Sequence, residues 1–444
     1  MMATATTPVA AGASVRGPEG AAAAQGGVLP RPVSGVGGLL ALWPLVCVQA
    51  AGGLVLGAWA ADGWLRYPLA ALVAVPVALL VLVVLAWRQG ETLTGWLGSA
   101  LALRRRRRAA AVPLPLPAGA DPLFSLAEEC RPGLRCHAFA ARAGRDGRER
   151  REMGMVETGG SLTVVLRVEA GLTPLQPGLD GRPLPLTLLH DALDTDGIRL
   201  ASVQCVQHTQ PAPAPVLPSR SVAGASYSLL QAHGPGGAPA LRLTWVTLRL
   251  DPELCPEAVA VRGGGLLGAQ RCLARAADQL VSRLAGAGFS ATVLSEAELL
   301  SAVAACASSD PLVTTLVGKG DGARPRRTAE GVRAWRCDDR WHATFRVARW
   351  PLLGAGGAPL PALVALLTSA PAFATTFALT LRAHGPRAVE VTGHVRVTGR
   401  GERELRSAGR ALTRAARTAR VGLVRMDRRQ VAGLRATLPL GGMG

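Results

Sequence analysis

The chain has 444 residues, 49 basic against 30 acidic side chains, a formal net charge of +19, 49% hydrophobic residues and only 4% aromatic ones. That length accommodates a membrane segment together with two or three soluble units. Residues 1–111 hold nine basic and three acidic side chains, +6 of the +19, so the excess is spread along the chain, unlike a compact nucleic-acid module with one footprint.

Lys319 is the only lysine, and the arginine-for-lysine usage with abundant Ala, Gly, Val and Leu fits a GC-rich coding sequence. This lowers the weight of any single arginine. The eight cysteines, at 47, 130, 136, 205, 255, 272, 306 and 337, form no CxxC pair. Their irregular spacing points to reduced, mostly buried thiols in a cytosolic compartment. Cys130, Cys136 and His137 come nearest to a metal-ligand set, but no second pair completes a tetrahedron.

In chain order, residues 1–34 are rich in Ala, Gly, Thr and Pro and are expected to be a disordered cytoplasmic N-terminus. Residues 35–88 hold two apolar runs, GVGGLLALWPLVCVQAAGGLVLGAWA and YPLAALVAVPVALLVLVVLAW, within uncharged intervals from Arg31 to Asp62 and from Arg66 to Arg88. Each exceeds the roughly 20 residues that cross a hydrocarbon core as a helix. The first run is too long for the apolar region of a signal peptide and lacks a convincing cleavage site before the second. Only DGWLR separates them, which predicts a transmembrane hairpin, and Trp59, Trp64, Tyr67 and Trp87 fall near its predicted interfaces.

Residues 89–120 form a basic juxtamembrane segment and linker. Within it ALALRRRRRAAA holds Arg104, Arg105, Arg106, Arg107 and Arg108, which with Arg88 flank the second span, whereas the turn holds only Arg66 against Asp62. The positive-inside bias therefore places both termini and the large domain in the cytoplasm. The block reads as a topology anchor facing anionic membrane lipids, worth about 1 kcal/mol per residue near the surface. No nucleic acid partner is expected.

From about residue 121 the pattern is globular. SLTVVLRVEAG (161–171), a helix at 185–194, strands at 197–210 and 239–251, a long helix at 265–288, SATVLS and a helix at 296–305 make one series. WHATFRVARWP (341–351), PLPALVALLTSA, FATTFALTLRAHG, RAVEVTGHVRVTG, a helix at about 401–420, VGLVRM and DRRQVAGLRA repeat the order. The expected fold is thus an α+β cytoplasmic region of two β-α-β-β-α-β units, at 121–310 and 335–444, with 311–334 as a linker. About thirty residues join the central strands of the first unit, and their Pro-rich part suits an extended arm lying on a partner.

Three patterns bear on chemistry. RGGGLLGAQRC fits G-x-G-x-x-G at Gly263, Gly265 and Gly268, with Glu296 placed as a ribose-binding acid would be. A dinucleotide fingerprint needs a buried strand running into the first glycine, whereas here only the short AVAVR precedes it, so a helix-entry turn is the favoured reading. WRCDDRWHATF gathers Cys337, Asp338, Asp339 and His342, which could hold a metal or do acid–base work. Adjacent Asp residues on a strand point to opposite faces, so a turn capped by Asp leading into a strand is favoured. His190–Asp191 lacks a second histidine pair, and there is no Walker A, G-x-S-x-G or HExxH motif. The third pattern is GERELRSAGRALTRAARTAR, where Arg403, Arg406, Arg410, Arg414 and Arg417 fall within an arc of about 80°. Glu402 and Glu404 answer the helix dipole, which leaves a stripe without i,i+4 carboxylates and suited to an acidic partner or anionic lipid.

Through IRLASVQCVQHTQPAPAP, LTWVTLRLDPELCPEAV, RGGGLLGAQRCLARAADQLVSRLAGAGF, WRCDDRWH, VTGHVRVTG and VGLVRMD, the chain resembles the EccE family of actinobacterial type VII (ESX) secretion systems, most closely its streptomycete-like branch. The resemblance implies a membrane subunit of the translocon that assembles with EccB, EccC and EccD and carries a cytoplasmic mixed α/β domain. It implies no catalytic, cofactor or metal residues. The expectation is a non-enzymatic structural subunit of the plasma-membrane complex that exports proteins. The alternative is a membrane-anchored nucleotide binder or metal-dependent enzyme using the Gly-rich turn or the Asp338, Asp339, His342 cluster.

Overall fold

A computed structural model of the chain describes residues 93–111, 121–143, 149–170, 183–211, 222, 225–226, 241–319, 326–353, 359–384 and 388–442. The expected N-terminus and membrane hairpin (1–88, including Arg88) and most of the long Pro-rich connection after residue 211 lie outside the described residues. Among the described residues no helix is long and apolar enough to cross a membrane.

Two helices come first, α1 (Leu93–Ala110) and α2 (Pro122–Cys130), followed by strands β1 (Arg135–Ala143) and β2 (Glu149–Thr158). The first series then runs β3 (Ser161–Ala170), α3 (Leu186–Asp191), the short β4 (Asp194–Thr195), β5 (Ile198–Gln210), β6 (Leu241–Leu250), α4 (Pro256–Val261), α5 (Gly265–Gly286), β7 (Phe289–Val293) and α6 (Glu296–Cys306). The stretch expected as a linker, 311–334, instead holds α7 (Pro311–Lys319) and β8 (Thr328–Glu330). The second series is β9 (Trp335–Cys337), β10 (Arg340–Arg349), α8 (Leu360–Thr368), β11 (Ala374–Ala383), β12 (Val389–Gly399), α9 (Glu402–Thr418), β13 (Gly422–Arg425) and α10 (Gln430–Thr437).

All strand pairs are antiparallel and lie in one large sheet of order β1-β2-β3-β6-β5-β11-β12-β10-β9-β8, with β7 beside β3 and β13 beside β10. The repeated element order is matched by repeated pairing. In the first series β7 pairs β3, β3 pairs β6 and β6 pairs β5; in the second β13 pairs β10, β10 pairs β12 and β12 pairs β11. Equivalent strands β5 and β11 then join the halves edge to edge, from Thr209–Thr375 to Val203–Leu381.

Side-chain alternation feeds two faces of this sheet. On one face α5 covers a cluster built on Leu162, Val164, Leu166 and Leu248, while α8 and α9 cover another built on Phe345, Phe377, Val395 and Val397. On the other face α2, α6 and α10 cover Val165, Val206, Trp245 and Ala378. Each fully buried Leu, Val or Phe contributes roughly 1.5–3 kcal/mol, so these three clusters dominate stability.

The seam between halves is polar beneath α6 and α10. His208 on β5 meets Thr376 Oγ1 on β11 at 2.9 Å, and Gln204 accepts from Gly441 N while donating to Ala436 O. Arg396, fully buried, donates from Nη2 to Cys306 O and Thr376 Oγ1. Burial without a carboxylate partner lowers its pKa. The C-terminal residues after α10 pin both sides, Ser202 donating to Gly441 O and Arg382 to Gly442 O.

Candidate interaction surface

The helix α1 carries the arginine block and lies against the far end of the sheet. Consecutive residues on a helix turn by 100°, so five arginines in a row cannot share one face. Arg106 makes a forked pair with Glu330, Nε–Oε2 2.7 Å and Nη2–Oε1 3.1 Å, and also donates to Arg428 O. Arg107 donates to Glu330 O, Arg428 sits over the Trp96 ring, and Arg326 donates to Ala110 O. Arg104, Arg105 and Arg108 are exposed. The block is thus divided between the domain and solvent, whereas the sequence alone assigns all five to lipid.

The helix α9 keeps all five of its arginines on one side. Leu405, Ala408, Leu412 and Ala416 are buried, while Arg403, Arg406, Arg410, Arg414 and Arg417 are exposed. One expectation is corrected: Arg406 does have an i,i+4 carboxylate, Glu402, at 3.2 Å, because Glu402 stands one turn back on the same face. Arg403, Arg410, Arg414 and Arg417 have no carboxylate partner among the described residues. Beside the stripe lies a groove of about 870 Å³ lined by Arg406, Arg410, Arg414, Arg417 and Arg425 over apolar Phe345 and Leu423. Gly409 helps open it, since a Cβ there would already touch Phe345 at 3.4 Å. This is a basic rim over an apolar floor, with no acidic residue lining it.

The Asp–Asp–His cluster comes apart. Cys337 pairs with Arg340, so Asp338 and Asp339 form the turn of the β9–β10 hairpin, Asp338 with φ +49°. Asp338 is more than a turn cap: its buried carboxylate receives Arg327 Nε at 2.9 Å and Nη2 at 2.7 Å and accepts Asp310 N. Asp339 is exposed and pairs with Arg340. His342 turns into the core, bonding Thr398 with its ring tilted against Trp335, and burial holds its pKa well below the ordinary range. Beside Arg327, the buried Glu129 receives Arg327 N, Thr328 N and Thr328 Oγ1; burial nonetheless raises its pKa.

At the Gly-rich turn, the element before Gly263 is the helix α4 rather than an extended AVAVR, so the turn joins two helices. Gly268 allows α5 to close on α4, as a Cβ there would clash with the Val259 carbonyl. A groove beside the turn is lined by Glu157 and Glu253 among apolar residues, which repels phosphate. Glu296 opens α6 instead, packed so closely on β2 that a Cβ at Gly154 would lie 2.6 Å from its amide nitrogen. Cys130 is buried at the end of α2, its thiol pushed up to about 12 by burial, while His137 pairs with Glu157 at 2.9 Å. His190 and Asp191 are exposed neighbours on α3. Among the described residues no three His, Cys, Asp or Glu side chains are arranged to hold a metal ion.

Among the described residues, Asp338, Asp339 and His342 do not converge on one site, and the exposed arginines of α9 border a basic groove. The family model described as "Putative type VII ESX secretion system translocon, EccE" matches residues 238–347, from β6 through α7 to most of β10. The resemblance to EccE is therefore shown over that stretch, which spans the junction between the two series. No curated protein matches the chain significantly.

Proposed function

We propose that the protein is a non-enzymatic structural subunit of a type VII secretion translocon, held in the plasma membrane by the hairpin at 35–88. The EccE match over residues 238–347 carries this reading. Both termini and the units at 121–310 and 335–444 are cytoplasmic, as the arginine asymmetry around the hairpin requires. The partners are EccB, EccC and EccD, and the exposed stripe of α9 is the surface offered to one of them. The dispersal of Asp338, Asp339 and His342, and the acidic lining at the Gly-rich turn, disfavour the enzyme reading.

Affinity purification of the tagged full chain from detergent-solubilised membranes tests this function. Recovery of EccB, EccC and EccD with it is expected; recovery of the chain alone would contradict it. For topology, a cysteine at Gly63 is expected to label from outside intact cells and one at Ala110 is not. Reversed labelling would place the domain on the other side of the membrane.

A further inference from the structure

Helices α1 and α7, both in stretches expected as linkers, present exposed leucines and are held by one segment. On α1, Leu97 (50% exposed) and Leu101 (55%) share an arc of about 100° with Arg104, Arg105 and Arg108. On α7, Leu312 (73%) and Leu316 (69%) stand one turn apart, opposite Thr314, which accepts from Arg327 Nη2 at 2.9 Å. Residues 326–330 hold both helices: Arg326 reaches Ala110 O, Glu330 grips Arg106, and Arg327 reaches Thr314 and Asp310 O. Five residues of chain span at most about 18 Å, so the points at which the two helices are gripped lie close together.

We propose that α1 and α7 together form a face that lies in the headgroup region of an anionic bilayer. Leu97, Leu101, Leu312 and Leu316 enter the acyl boundary, and Arg104, Arg105 and Arg108 meet lipid phosphates. The occupant follows from the chain itself: the apolar run that ends at Trp87 precedes α1 by five residues, so α1 begins at the membrane surface if that run spans it. The inference rests on the membrane-anchored reading and deepens it. An apolar pair followed along the helix by three outward arginines is the order expected as a helix leaves the membrane plane. The Arg106–Glu330 pair then fixes the angle between domain and bilayer.

The test uses the full chain in nanodiscs containing phosphatidylglycerol, without other subunits. An environment-sensitive fluorophore is placed on Leu97→Cys, Leu101→Cys, Leu312→Cys or Leu316→Cys, with Val261→Cys, 86% exposed on α4, as the reference. The four leucine sites are expected to give blue-shifted emission, quenching by a lipid-attached spin label and protection from an aqueous quencher, and the reference site the reverse. Aqueous accessibility at Leu312 and Leu316 would overturn the shared face, even with α1 protected. Protection in native membranes but not in nanodiscs would also overturn it, assigning the leucines to a protein neighbour. Recovery of the chain outside the membrane fraction would sink the anchoring reading instead. The same probes titrated with anionic vesicles would then still read the face, blue-shifting if it binds lipid and remaining unchanged if it does not.

Discussion

The two arginine-rich helices differ in spacing, and spacing decides what their charges do. In α1 the arginines are consecutive, so on a helix docked against the domain they cannot all face solvent: Arg106 turns toward Glu330, and Arg107, itself exposed, reaches the Glu330 carbonyl. In α9 they recur at steps of three and four, so all five face outward, and among the described residues only Arg406 meets a carboxylate. A run of like charges on a packed helix is partly structural, whereas a periodic stripe stays available to a partner. Arg327 marks the structural extreme, enclosed with Asp338, both side chains 3% exposed.

Breaking that enclosed pair gives the largest expected effect. Asp338→Ala leaves the buried Arg327 guanidinium without its carboxylate and is expected to cost about 3–5 kcal/mol, measured by denaturant unfolding. Asp339→Ala, on the same turn but exposed, is expected to stay within about 0.5 kcal/mol. Equal effects at the two positions would contradict the assigned roles.

Acid titration probes the buried seam. Burial lowers the pKa of His208 to about 3 and of His394 to about 4, and holds His342 well below 6.5. Unfolding returns each to an ordinary value near 6.5, so below that pH the unfolded chain binds more protons and stability falls. The loss continues down to the folded-state values, at up to about 1.4 kcal/mol per pH unit for each imidazole. Unfolding measured between pH 6.5 and 5 is expected to show this slope, reduced in His208→Gln. A flat profile would contradict neutral burial.

A smaller effect separates the two kinds of arginine within α1. Glu330→Gln is expected to weaken the fork to Arg106 by about 1–3 kcal/mol and speed amide exchange in α1. Neutralising Arg104, Arg105 and Arg108 is expected to leave that exchange unchanged. Equal exchange in both variants would remove the distinction.

Much of the fold was legible. From β3 onward the apolar alternation and the long stretch of α5 marked elements within a few residues of their structural bounds. Strands β8 and β9, three residues each, are too short to show a period, and β1 interrupts its alternation with Arg135, His137 and Arg142. The β5–β11 seam and the Arg106–Glu330 fork were not legible, because local pattern carries no information about partners as distant as 224 residues. At the hairpin turn the sequence shows a capping Asp338, but only the fold brings Arg327 to it.

The proposed docking of the α9 stripe on a translocon neighbour is open to direct test. The direct measurement pairs the melting temperature of Arg406→Gln, Arg410→Gln, Arg414→Gln triple-substituted full chain with its retention of EccB, EccC and EccD during purification at low salt. The account predicts stability within about 0.5 kcal/mol of the parent or above it, because like-charge repulsion is relieved, together with marked loss of the partners. Undiminished retention would show that the stripe is only a solvated face.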